Sequence, residues 1–142
     1  MRRAWIAALV AGGVLTIATV IAQDRADTAQ PSPTFTKDVL PILQKNCQTC
    51  HRPGEIGPMS FLTYESTRPW AKAIKSAVVT KKMPPWFADP QHGRFANDRS
   101  MAPADVDVLS RWADEGAPLG NPADAPPAKL WADGWQTTPD HM

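Results

Sequence analysis

Cysteine and histidine are scarce: the 142 residues hold two of the first and three of the second. A zinc site built on the two cysteines would need further ligands, and away from them only His92 and His141 remain. Charge of one sign is lacking too. With 15 basic and 14 acidic residues the net charge is +1, so nothing points to nucleic acid. No alternation of strand-like and helix-like segments is present, which removes the setting of a thioredoxin-like dithiol. Long apolar runs are confined to the first 22 residues. Proline, by contrast, is plentiful: 15 prolines and 8 glycines limit how much regular structure the chain can form.

The apolar run follows Met1-Arg2-Arg3 and extends from Ala4 to Ala22, with Val20 and Ala22 placed for cleavage before Gln23. This is the layout of a secretory signal peptide. An uncleaved anchor is the alternative, since 19 helical residues at about 1.5 Å each approach the roughly 30 Å of a bilayer core. In both cases the rest of the chain faces the outside of the inner membrane. Without Arg2 and Arg3 the 15 basic residues fall to 13, against 14 acidic.

The two cysteines occur together, in Cys47-Gln48-Thr49-Cys50-His51. Two cysteines two residues apart and followed at once by histidine form the haem c attachment pattern. Both thiols can bond to one porphyrin, and the His51 imidazole can ligate the iron. A redox dithiol, half a zinc site and a disulfide are the other readings of the Cys-x-x-Cys pair, and the adjoining histidine favours haem. The porphyrin would then be the largest apolar object in the core, so the haem-free chain is expected to fold poorly.

Residues 23–33 read as a flexible leader. Helical spacing of Phe35, Val39 and Ile42 or Leu43 predicts a first helix over 34–46, capped by Thr34 or Thr36, which delivers Cys47. Residues 52–59 are a loop by their glycine and proline content. A second helix is predicted from near Thr67 to about Lys82, with Pro69 at its start and Trp70, Ile74, Ala77 and Val78 on one face. It stops at Met83-Pro84-Pro85-Trp86. A thioether held on this rigid turn suits the iron face opposite His51. Met59, Met101, His92 and an open position are the alternatives for the sixth ligand. Residues 87–100 form an irregular loop, in which Arg94, Asn97 and Arg99 are candidates for propionate contacts. The other reading of that loop is a solvated segment held by Phe87 and Phe95. A third helix is predicted from about Pro103 to Glu115, stopped by Gly116 and Pro118. The remaining tail should be extended and pinned by Trp131 or Trp135, and a mobile interaction tail is the other reading.

From Phe35 to about Trp135 the chain resembles a bacterial monohaem cytochrome c domain of class I type. The resemblance is carried by Cys47-Gln48-Thr49-Cys50-His51, Gly57-Pro58, Met83-Pro84-Pro85-Trp86 and residues 112–118. It extends to the cytochrome region sometimes found upstream of copper type II ascorbate-dependent monooxygenase-like sequences, through Met-Pro-Pro-Trp-Phe-Ala-Asp-Pro. The long loop between Met83 and the third helix departs from compact members. The resemblance implies a mainly α, class I cytochrome c-like fold, with about three helices around one covalently bound haem c, long irregular loops and an extended proline-rich tail. It further implies Cys47 and Cys50 as the covalent anchors, His51 as proximal ligand, Met83 as distal ligand and the Pro58 carbonyl as hydrogen-bond partner of His51. Trp112 is implied to pack near Phe35.

The division that follows is a signal over 1–22, a leader over 23–33, a cytochrome domain over 34–118 and a tail over 119–142. The expected function is periplasmic transfer of single electrons between redox proteins that serve as donor and acceptor, and not catalysis by the chain itself. A haem subunit or docking module of a larger exported oxidoreductase is one alternative. A haem enzyme or gas sensor with an open sixth position is the other. Contact with a membrane is expected only if the N-terminal segment stays in place.

Overall fold

The computed structural model describes residues 30–132. Residues 1–22, read from the sequence as a signal peptide, and Trp135 lie outside the described residues. Among those described the chain is mainly helical, with no strand, and no helix is long and apolar enough to cross a membrane.

The first helix, α1, spans Leu40–Asn46 and is preceded by a wide π-helical turn, Phe35–Val39. Pro41 explains the change of winding. Leu40 N–H makes the last wide-turn bond, to Phe35 O, and the next residue has no N–H to continue that ladder. Neither expected threonine caps the start: Asp38 reaches back instead, accepting from Thr34 N–H at 2.7 Å and Thr34 Oγ1 at 3.2 Å. Thr36 Oγ1 donates to Leu119 O.

The second helical unit begins earlier than the sequence predicts. Thr63 and Ser66 form a reciprocal capping box that opens α2, Tyr64–Thr67. Pro69 therefore lies inside the unit, where its missing N–H tightens Arg68–Trp70 into a 3₁₀ turn before α3, Ala71–Val79. Lys81 adopts φ +56° and closes α3: its N–H bonds Val78 O at 3.1 Å, and Lys82 N–H bonds Ala77 O at 2.8 Å. Those two bonds satisfy carbonyls that the helix end leaves free. Met83 N–H joins Ala77 O as well, at 3.1 Å. The helix end thus fixes where Met83 begins.

The fourth helix, α4, spans Pro103–Asp114, with Pro103 at its first position. Gly116, at φ +89°, ends it, and Ala117 N–H returns to Trp112 O at 2.8 Å. The expected helix boundary at Glu115 is one residue away.

The core lies where the π turn, α1, α3 and α4 meet. Phe35 and Val39 contribute from the π turn and Leu43 from α1, Ala71, Ile74 and Val78 from α3, and Leu109, Trp112 and Ala113 from α4, with Phe61 added from the loop. Trp112 is completely buried. Its ring centroid is 6.1 Å from that of Phe35, as expected, and its Nε1 donates to Pro118 O at 3.0 Å. Phe35 in turn meets the edge of Tyr64 at 5.4 Å, whose hydroxyl donates to Ala117 O.

After α4 the chain returns along the π turn, with Phe35 N–H bonding Pro118 O and Thr36 N–H bonding Leu119 O. Gly120 is required there: at φ +84°, a Cβ would stand 2.5 Å from Thr34 Cβ. The segment then crosses to the other end of α1, where Gln44 Nε2 donates to Pro127 O at 3.0 Å.

Candidate functional site

Cys47 and Gln48 N–H groups both bond Leu43 O, and Cys50 and His51 N–H groups both bond Cys47 O. The pentapeptide is therefore a wound extension of α1, and Cys47, Cys50 and His51 line one side of a single cleft of about 450 Å³. That volume falls in the range of ordinary small-molecule and cofactor pockets, roughly 300–1,000 Å³. Trp70, Ile74, Ala77 and Val78, the predicted face of the second unit, line it as well. So do Met83, Pro84 and Pro85, placed there by the closed end of α3.

The His51 ring is fixed from several directions. Phe61 stacks on it at 4.6 Å between centroids, with 22° between planes. Phe61 N–H bonds His51 O at 3.0 Å, while Phe61 O accepts from the buried Gln48 side chain at 2.9 Å. Gly57 N–H bonds Cys50 O at 2.8 Å. A Cβ on Gly57 would lie 2.6 Å from both Cys50 O and His51 Nδ1, so only glycine lets the loop pass this close to the ring.

The carbonyl facing His51 Nδ1 is that of Met59, at 3.3 Å, and not that of Pro58 as the resemblance implies. The loop is tied to Cys50 at Gly57 and to His51 at Phe61, and between these anchors the Met59 carbonyl is the one brought to the ring. With Nδ1–H donating to it, Nε2 keeps the lone pair that a metal would take.

Burial pushes the Cys47 thiol up to about 12, with a smaller push from Cys50. A redox dithiol needs a lowered thiol pKa, and Cys47 has the reverse. The two thiols are free. Among the described residues no group of three or more His, Cys, Asp or Glu side chains could hold a metal ion, which leaves no support for zinc there.

Among the candidate sixth ligands the three methionines all line the cleft, and only His92 stands apart. Met83 lines the cleft and is 42% exposed. Met59 and Met101 also line it, both partly buried against the core. His92 does not: its side chain is 80% exposed and faces Asp89 at 3.7 Å. Of the three propionate candidates Arg99 lines the cleft, whereas Arg94 and Asn97 are exposed and take no part in its lining. The loop that bears them is held by Trp86 against Phe95, 5.7 Å apart and edge-on. Phe87, expected to share that task, is 89% exposed.

Sequence reasoning passed over Arg52. It is buried, donates through Nη1 to the carbonyls of Gln48 and Thr49, and pairs through Nη2 with Glu55 at 2.5 Å. Its position directly after His51 was the available signal.

The residues present fit a haem attached at Cys47 and Cys50. The cleft is apolar, both thiols reach it, the imidazole is oriented by a backbone carbonyl, and a thioether stands on a separate part of its lining. Comparison with family models, with curated proteins and with solved structures finds no match to this chain.

Proposed function

We propose that the chain is an exported monohaem c-type cytochrome that passes single electrons between periplasmic redox proteins. The observation that carries this reading is the convergence of Cys47, Cys50, His51 and Met83 on one apolar cleft. Cys47 and Cys50 would hold haem c covalently, and His51 Nε2 and the Met83 sulfur would ligate its iron. When bound, the group supplies a ferric/ferrous couple.

The chain's own residues determine how that couple behaves. The Met59 carbonyl orients the His51 imidazole and raises its basicity. Phe61, Ile74 and Val78 exclude water from one side of the cleft, and a methionine-histidine ligand pair in a water-poor site favours the reduced state. A positive midpoint potential is expected. At the mouth Ile56 is 88% exposed and Met83 is partly so, which leaves an edge from which an electron can pass to a docked protein without entry of a substrate.

The deciding experiment is the visible spectrum of the exported, haem-loaded protein for wild type, Met83→Ala and Met101→Ala. A weak far-red sulfur-to-iron charge-transfer band is expected in the oxidised wild type and in Met101→Ala, and is expected to be lost in Met83→Ala. If the band disappears only in Met101→Ala, the distal assignment moves to Met101. If wild type lacks it and binds carbon monoxide readily when reduced, the sixth position is open and the electron-carrier reading gives way to that of a gas sensor or haem enzyme.

A further inference from the structure

Trp131 is remote from the pentapeptide in sequence, yet its ring centroid lies 4.4 Å from Arg52 Cζ. Lys129 Nζ is 4.4 Å from the same centroid. The indole Nε1 is buried without a hydrogen-bond partner, so the π face and not the polar edge makes the ring's contacts with charge. Two further bonds tie this part of the tail to the last turn of α1: Gln44 Nε2 donates to Pro127 O at 3.0 Å, and Lys129 Nζ donates to Gln44 O at 3.4 Å. That turn leads straight into Cys47.

Arg52 completes the connection. It is only 9% exposed, and a buried charge is tolerated only where it is paired and hydrogen-bonded. Its partners other than Trp131 are the Gln48 and Thr49 carbonyls, between the two cysteines, and Glu55 just beyond. The guanidinium therefore joins the attachment turn on one side to the tail on the other. We propose that Arg52 is a positioning residue for the Cys47–His51 turn, and that residues 127–131 are a strap that keeps it in place through Trp131. The proposal rests on the haem-attachment reading of that turn. With the ring removed, water reaches the guanidinium and competes for its bonds to the two carbonyls, so the turn opens more often. A cation–π contact of ordinary strength corresponds to roughly a two- to thirtyfold change in such an opening equilibrium.

The test uses the full exported chain and follows amide hydrogen exchange by mass spectrometry in Trp131→Ala, Trp131→Phe, Arg52→Gln and the Trp131→Ala/Arg52→Gln double variant. Exchange in peptides covering Gln48 to His51 is expected to rise about tenfold in Trp131→Ala, with peptides from α3 and α4 unchanged. Trp131→Phe should recover most of the protection, and the double variant should exchange no faster than Arg52→Gln alone. Faster exchange spread over the whole chain, no change at the turn, or effects that simply add would overturn the strap. Acid-acetone extraction of the same samples separates the two readings. Haem that stays with the protein supports covalent attachment whatever the exchange result. If wild type carries no haem, the attachment reading fails, the purified chain is the native form, and the same exchange comparison decides the strap.

Discussion

Two glycines in the loop after His51 show how differently one residue type can be required. Gly57 is constrained by space: its Cβ would press on the imidazole and on the Cys50 carbonyl at 2.6 Å. Neither neighbour can yield without moving the turn that carries the cysteines. Gly54 is constrained by conformation alone, since it sits at φ +81° with nothing near its missing Cβ. On the proposed haem-attachment reading, Gly57→Ala is therefore expected to abolish most haem loading, measured as pyridine haemochrome per mole of protein. Gly54→Ala should cost roughly 1 kcal/mol of stability and leave loading intact. Equal loading in both would mean that the ring tolerates displacement, and the close approach at Gly57 would lose its significance. Glycine content marked this loop in the sequence. The resemblance points to the Gly57-Pro58 step beside His51, but which carbonyl meets the ring was not legible there, because the contact depends on how the chain closes between Cys50 and Phe61.

Helices were legible wherever apolar spacing and a stop signal agreed. The first ends at the pentapeptide, and the last runs from Pro103 to within one residue of the expected end, stopped by Gly116. The second unit shows the limit of such reading. Pro69 is a good first-turn residue, but Thr63 and Ser66 make a competing start through a reciprocal capping box, and the proline is absorbed as a 3₁₀ turn. Both signals are local, and only the packing of Tyr64 against Phe35 and its bond to Ala117 decide between them. The Met59 carbonyl and the contact of Arg52 with Trp131 lay beyond sequence reading for the same reason, since each joins segments that share no local pattern. Thr63→Ala removes the box from a helix of one turn. A loss of about 1 kcal/mol is expected, read as a lowered urea midpoint of the haem-loaded protein, with the spectrum of the iron unaltered. A spectral change would mean that α2 also sets the cleft, beyond its part in holding Tyr64.

The molecule has a core that is complete on one side and interrupted on the other. Where the π turn meets α4, Phe35, Val39, Leu109 and Trp112 are buried among one another. On the cleft side Ile74 and Val78 are buried, but Trp70, Ile56 and Met83 are left substantially exposed. Apolar side chains around a recess of about 450 Å³ gain little from folding unless something apolar fills it. In a Cys47→Ser/Cys50→Ser variant that cannot be loaded, the contacts made by Trp112 do not depend on the filler, whereas the exposed cleft-side groups of Ile56, Trp70 and Met83 have nothing to cover them. Such a chain is expected to keep much of its helical far-ultraviolet signal, bind an apolar dye strongly and unfold in urea with a shallower slope than the loaded protein, because less surface is exposed in the transition. The contrast with the loaded wild type is the measurement. A steep transition at the same urea concentration, without dye binding, would show that the helices close the cleft by themselves and that the filler adds nothing to the fold.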